Sequence, residues 1–173
     1  MTKHEERGFT LIELLIVVAI ISIIAAIAVP GLLRSRMTAN ETSALASLLA
    51  INKAEVLYAT SCGNGGFAAS IPVLGTPPPG TTEAFLPADL TQTATPQKSG
   101  YNFTLAPGAG AGAGPNDCNG TATQTSYYAT AVPQTFGSTG ARAFSTNAGQ
   151  TVWQVNAAAA PTEPFGAPAV PIQ

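Results

Sequence analysis

Charge is scarce in this chain: Asp, Glu, Lys and Arg make up 9% of its 173 residues, and the formal net charge is -2. Beyond Ser61 the charged residues are Glu83, Asp89, Lys98, Asp117, Arg142 and Glu163. Two basic side chains over so long a stretch neutralise few phosphates, so no direct nucleic-acid site is expected on this chain. Histidine is represented by His4 alone, close to the N-terminus. No nucleophile elbow, P-loop or HExxH string occurs, so the common arrangements for acid–base or nucleophilic chemistry are missing. We assign no catalytic residue and read the chain as a non-enzyme. Cysteine is nearly absent too: Cys62 and Cys118, with no CxxC pair or histidine cluster, give no metal site and no cofactor. Two cysteines in an exported domain commonly join. Such a bridge would stabilise the fold by about 4 kcal/mol in the chain-entropy description; two unpaired buried thiols are the alternative.

What the chain does have is one long apolar run. Residues 8–33 read GFTLIELLIVVAIISIIAAIAVPGLL, and residues 14–33 carry no formal charge. Twenty helical residues span about 30 Å, the thickness of a bilayer hydrocarbon core. A core helix of a globular protein is seldom apolar all round for so long. An ordinary secretory signal places its small-residue cleavage site after the apolar stretch and discards both. Here the small residue, Gly8, precedes it, after the polar leader MTKHEERG. Cleavage after Gly8 would remove the leader alone, keep the helix, and make Phe9 the first residue, with an amine protonated at neutral pH. Glu13 stands four residues on, where an intramembrane carboxylate costs about 2.5–3.5 kcal/mol and usually signals function. Its bland reading is a charge snorkelling at the helix end. Its functional reading is an ion pair with the Phe9 amine of another copy.

The string Gly8-Phe9-Thr10-Leu11-Ile12-Glu13, followed by an apolar run and Pro30, resembles the N-terminus of type IV prepilins, shared by type IV pilins and type II secretion pseudopilins. The resemblance is close from Arg7 to about Ala59; beyond that the general layout alone matches. It implies cleavage between Gly8 and Phe9 by a prepilin peptidase on the cytoplasmic side, N-methylation of Phe9, subunit docking through Glu13, and a kink or melted stretch at Pro30. Ser22 stands where relatives often carry glycine, which bears on how readily the stretch up to Pro30 unwinds. The charge flanking the apolar run does not orient it, because Lys3 and Arg7 on one side balance Arg34 and Arg36 on the other.

Helical signals resume after Pro30. Leu45, Leu48, Leu49, Val56 and Ala59 fall on one face, interrupted by Asn52, with Ser43, Ser47, Ala50 and Ala54 opposite. This predicts an amphipathic helix whose apolar stripe holds a globular domain, ending near Cys62 where Gly63 suits a left-handed cap. Proline inside the helix predicts a bend or local break at Pro30. Residues 63–100 hold GNGG and TPPPG and read as a long connecting loop. Short β-prone runs follow at 101–105, 126–132, 142–145 and 151–155. The expected fold is therefore α+β: a long N-terminal helix packed on a small antiparallel sheet, which is also the type IV pilin layout. The segments are a leader at 1–8, a transmembrane or filament-core helix at 9–33, an amphipathic helix at 34–62, and a globular loop and sheet domain at 63–173. APGAGAGAGP at 106–115 reads as a flexible loop, and the uncharged tail from residue 157, Glu163 apart, as extended or poorly ordered.

Smaller features have plain explanations. Glu83 and Asp89 read as solvated carboxylates, Trp153 as core, and Arg142 as the anchor of a turn or of a subunit contact. Asn116-Asp117-Cys118-Asn119 offers hard oxygen ligands without a full calcium set. Three Asn-x-Thr strings, at Asn40, Asn102 and Asn119, are short enough to arise by chance. The reading is a structural subunit of a type IV pilus-like filament, a helical homopolymer of this chain. It would be held in the inner-membrane bilayer before assembly, handled by the prepilin peptidase and the pilus assembly machinery, and then placed in an extracellular filament. The alternative is a type II secretion pseudopilin forming a periplasmic pseudopilus. A monomeric membrane-anchored binding protein is the reading from a third class.

Overall fold

The computed structural model describes residues 9–172, and the chain divides after Arg36 into two units. In the first, helix α1 starts at Leu11; it ends in the second unit at Ser61. Its N-terminal stretch is long and apolar enough to cross a membrane, and none of that window is buried within the chain. Leu11, Ile20, Ile24, Ile27 and Leu33 all stand exposed. Helical structure continues through Pro30 without interruption, so the expected local break is not present. The ring removes one N–H from the ladder, but the helical residues on both sides hold the segment. Ser22 donates its hydroxyl to the Val18 carbonyl at 2.7 Å, so it is satisfied inside the helix.

In the second unit the rest of α1 packs on a six-stranded antiparallel sheet. The strands are β1 (Gln97–Lys98), β2 (Tyr101–Pro107), β5 (Tyr127–Pro133), β6 (Ala143–Asn147), β7 (Trp153–Val155) and β8 (Val170–Pro171), neighbours in that order. A separate two-stranded ribbon pairs β3 (Ala113–Asn116) with β4 (Ala122–Gln124). The architecture is α+β, the layout of the type IV pilin fold. Alternation in β2 puts Tyr101, Phe103 and Leu105 on the core face. Opposite them in register, β5 presents Ala131 to Phe103 and Ala129 to Leu105. Large against small keeps the two strands' inner surface level, and Leu48 and Ile51 of α1 join the same cluster.

The helix face in that cluster is rotated from the one predicted. Ala44, Leu48, Ile51, Glu55 and Tyr58 are buried, with Ser47 and Ala54 beside them, whereas Leu49 is 41% exposed and Leu45 and Val56 are half-buried. Counting apolar residues alone misplaced the stripe, because its true line passes through polar side chains that find partners. Asn52 accepts from the Tyr127 hydroxyl at 3.0 Å and donates to Thr146 Oγ1 at 2.9 Å. Glu41 takes the Ala141 and Arg142 N–H groups on Oε1 and the Arg142 guanidinium on Oε2. Arg142 thus anchors a turn to α1, and it also donates to Gln154 at 2.8 Å.

At the end of α1, Cys62 and Cys118 form a disulfide with 4.8 Å between Cα atoms. The left-handed residues there are Asn64 and Gly65, not Gly63. Gly63 is needed for space, since a Cβ on it would sit 2.2 Å from the Gly66 carbonyl oxygen. Residues 63–100 are not all loop: they include the one-turn helices α2 (Ile71–Leu74) and α3 (Ala88–Thr91). Asp89 and Lys98 pair across 2.7 Å on the surface.

Two segments expected to be loose are tied together. Glu163 accepts from the Ala109 N–H at 2.6 Å and from Asn147 Nδ2 at 2.5 Å, linking the tail to the glycine-rich loop and to β6. The Tyr128 hydroxyl donates to the Pro161 carbonyl, and the Ile172 N–H reaches the Val152 carbonyl at 2.8 Å. Trp153 is not core: it stacks on Phe165 of the tail at 5.3 Å and stays half-buried.

The rotated stripe is open to a direct test. Ile51→Ala should lower unfolding stability in detergent by about 2–5 kcal/mol, the usual cost of truncating a fully buried aliphatic side chain. Leu49→Ala should cost less than about 1 kcal/mol. Equal losses in chemical denaturation would contradict this assignment of the core face.

Candidate assembly site

Phe9 and Thr10 lie outside the helix, and α1 begins with Leu11. The first turn of any helix has four N–H groups without partners inside it. Thr10 and Glu13 supply two of the answers between them. The Thr10 Oγ1 accepts the Glu13 N–H at 3.3 Å, while Glu13 Oε2 accepts the Thr10 N–H at 2.9 Å. The Thr10 hydroxyl proton also goes to Oε2, at 2.6 Å. This is a reciprocal capping box, Thr-x-x-Glu, and it places a carboxylate at the positive end of the helix dipole. All three bonds run between these two residues, and the two that use the carboxylate both fall on Oε2, so Oε1 takes no part in the cap.

Glu13 is therefore built into the helix start and not simply set in an apolar run. The string T-x-x-E was readable in the sequence, yet Thr10 attracted no role there. Phe9 is 77% exposed, with its ring uncovered by the rest of the chain. Gly8, the other half of the expected cleavage site, and the rest of the leader including His4 lie outside the described residues. Pro30 lies within α1, and Cys62 and Cys118 are joined in the second unit, apart from this site in the sequence.

The remaining sequence candidates are engaged elsewhere. Asp117 Oδ1 accepts the N–H groups of Asn119 and Thr121 at 2.9 and 2.6 Å, and Oδ2 accepts the Tyr58 hydroxyl at 2.8 Å. With both oxygens committed, the 116–119 string forms a turn fixed to α1. Burial first, and then the bond to Asp117, push the Tyr58 phenol well above its ordinary range. Among the described residues no group of three or more His, Cys, Asp or Glu comes together as a metal centre would require. The Asn40 amide donates to the Thr139 carbonyl, and Asn119 donates to the Pro77 carbonyl.

Comparison with known proteins bears on the same N-terminal segment. Residues 3–29 match the family model of the prokaryotic N-terminal methylation motif. The chain carries a prepilin-type N-terminus. It is 52% identical over 52 residues to the type IV wide pilus major component PilA4 of Thermus thermophilus, covering 30% of this chain and 40% of that one. It is 49% identical over 49 residues to the type IV major pilin protein PilA of Myxococcus xanthus, covering 28% of this chain and 22% of that one. It is also 33% identical over 58 residues to the type II secretion system core protein G of Aeromonas hydrophila, covering 34% and 41%. The chain thus spans less than half the length of these curated relatives. No solved structure matches it. The sheet from residue 97 onward lies outside the residues that the family model matches.

The capping pair yields a specific expectation. Thr10→Val keeps the shape but removes the hydroxyl, and should weaken the helix start by about 1 kcal/mol. In micelles, hydrogen exchange at the first-turn amides should quicken by roughly fivefold, and Thr10→Ser should restore the slow rate. Unchanged exchange in Thr10→Val would mean that the cap does not hold the first turn.

Proposed function

We propose that this protein is a structural subunit of a type IV pilus-like filament. The observation that carries the reading is the prepilin-type start itself. A methylation motif leads into a helix whose apolar surface is left uncovered and whose first turn contains Glu13. In this reading a prepilin peptidase cuts after Gly8 on the cytoplasmic side, and Phe9 is N-methylated. Residues 9–33 hold the subunit in the inner membrane as a single pass. The inner-membrane assembly machinery then moves it into an extracellular filament, where copies of the same helix replace lipid. Glu13 meets the Phe9 amine of a neighbouring copy. Pro30, which leaves one carbonyl in the ladder without its usual donor, is the place where the helix adapts most easily during extraction. Residues 34–62 carry the globular unit, and the Cys62–Cys118 bridge fixes its junction with the helix. The role is mechanical and not enzymatic.

Docking follows from electrostatics. A carboxylate and an ammonium are each penalised in an apolar environment, and a pair with shared hydrogen bonds is penalised less. The first copy's Glu13 keeps Oε2 on Thr10 and can offer Oε1 to the arriving amine, so docking need not dismantle the cap.

A second reading, a type II secretion pseudopilin in a periplasmic pseudopilus, is favoured by the match to the core protein G of Aeromonas hydrophila. Shearing cells and probing the released surface fraction separates the two: a pilin subunit dominates that fraction, and a pseudopilin is nearly absent from it. Glu13→Ala should abolish or strongly reduce filaments while leaving the protein in the membrane. Normal filaments from that variant would remove the docking role. Intact-mass analysis of the mature subunit should give a chain that begins at a methylated Phe9, whereas a retained Met1 would exclude the prepilin reading.

A further inference from the structure

Two glutamates of the globular unit are buried on α1, and their surroundings differ sharply. Glu41 is surrounded by N–H donors, among them the Arg142 guanidinium. Glu55 is fully buried and has one: Oε2 accepts the Ala68 N–H at 2.9 Å, and Oε1 makes no hydrogen bond. A carboxylate enclosed with a single neutral donor and no paired cation is costly, whereas a neutral carboxylic acid there is not.

The position of that bond gives it consequences. Ala68 belongs to the segment that leaves the end of α1. Its carbonyl accepts Gln124 Nε2 at 2.8 Å, and its neighbour Phe67 exchanges both backbone hydrogen bonds with Gln124 at 2.8 and 3.0 Å. The Phe67 ring meets Tyr127 edge-on at 5.0 Å. Glu55 thereby ties α1 to β4 and β5 through residues 67 and 68. The titratable groups facing it are Tyr58 on its own helix and Tyr127 on β5. The first phenol donates to Asp117 and the second to Asn52, so neither supplies Glu55 with a proton, and Asp117 adds negative charge behind Tyr58.

We propose that Glu55 is a proton-dependent latch, which holds residues 67–68 against α1 while protonated and loosens them as its proton is lost to solvent. The neutral acid needs no charged partner and keeps the Ala68 N–H bonded. Once ionised, the carboxylate is stabilised by water, which it reaches only if the segment opens. Burial pushes the Glu55 carboxyl up from the ordinary 4.5 to about 8, against a smaller opposing effect of the Ala68 N–H. A carboxyl raised in the closed state binds its proton more tightly there than in the open state. The latch is therefore tightest below pH 4.5, weakens as pH rises to about 8, and is level beyond. This property goes beyond filament membership and holds whether the subunit serves a pilus or a pseudopilus.

The test is hydrogen exchange on the full chain in detergent, read at the amides of Phe67, Ala68 and Gln124 and corrected for intrinsic rates. Between pH 4.5 and about 8 wild-type protection should fall, approaching tenfold per pH unit, and then level off. Glu55→Gln, which cannot ionise, should show flat protection over the same range. Flat wild-type protection, or an equal fall in Glu55→Gln, overturns the proposal. Should the variant fail to fold, infrared spectra of the wild type decide it. The C=O stretch of a protonated carboxylic acid should persist at neutral pH and vanish above about pH 8; its absence at neutral pH would overturn the latch.

Discussion

An apolar helix surface that one copy of the chain cannot cover is the constraint on which the rest depends. Residues 14–33 present leucine, isoleucine, valine and alanine on every side, and none of that window is buried within the chain. At about 25 cal/mol per Å² of apolar area, exposure of such a surface to water is not sustainable. In the proposed reading lipid covers this surface first and copies of the same helix cover it afterwards. Its start is compatible with both: the Thr10–Glu13 cap satisfies first-turn N–H groups without help from water.

The second unit meets a different constraint. It must hold the same helix rigidly while offering few charges, and it does so by giving buried polar groups definite partners. Glu41 with Arg142, Asn52 with Tyr127 and Thr146, and Tyr58 with Asp117 each connect α1 to a separate part of the sheet or its loops. The disulfide at Cys62 closes the far end. Polar residues on the core face cost stability unless satisfied, but once satisfied they fix register in a way that a stripe of alanine and leucine would not. Glu55 stands apart from this scheme because half of its carboxyl is unpartnered.

Much of this was legible in the residues. The apolar run, the Gly8-Phe9 junction and Glu13 identify a prepilin-type start, and the α+β order follows from one long helical pattern succeeded by short β-prone runs. Four of the sheet strands, β2, β5, β6 and β7, fall on the four β-prone runs, and β2 buries every second residue. The core face of α1 was misjudged since Glu55, Asn52 and Ser47 are buried, and hydropathy cannot foresee partners more than seventy residues away, such as Tyr127 and Thr146. Strand β3 was invisible because AGPN has no side-chain pattern, only backbone that pairs with β4. The tail seemed free because its anchor is a single glutamate, Glu163, reaching back to Ala109 and Asn147. At the assembly site Glu13 and Phe9 stood out by their chemistry. Thr10, which works through a local hydrogen bond, did not.

The central claim is that residues 14–33 exchange lipid for copies of themselves. Electron microscopy of fibres purified from the cell surface, resolved to side chains, tests it most directly. The account predicts a fibre built from this chain, its first residue Phe9, with residues 14–33 buried against neighbouring copies and Glu13 beside a neighbour's Phe9 amine. A fibre in which this helix is missing or faces solvent, or surface fibres that lack the chain altogether, would contradict it.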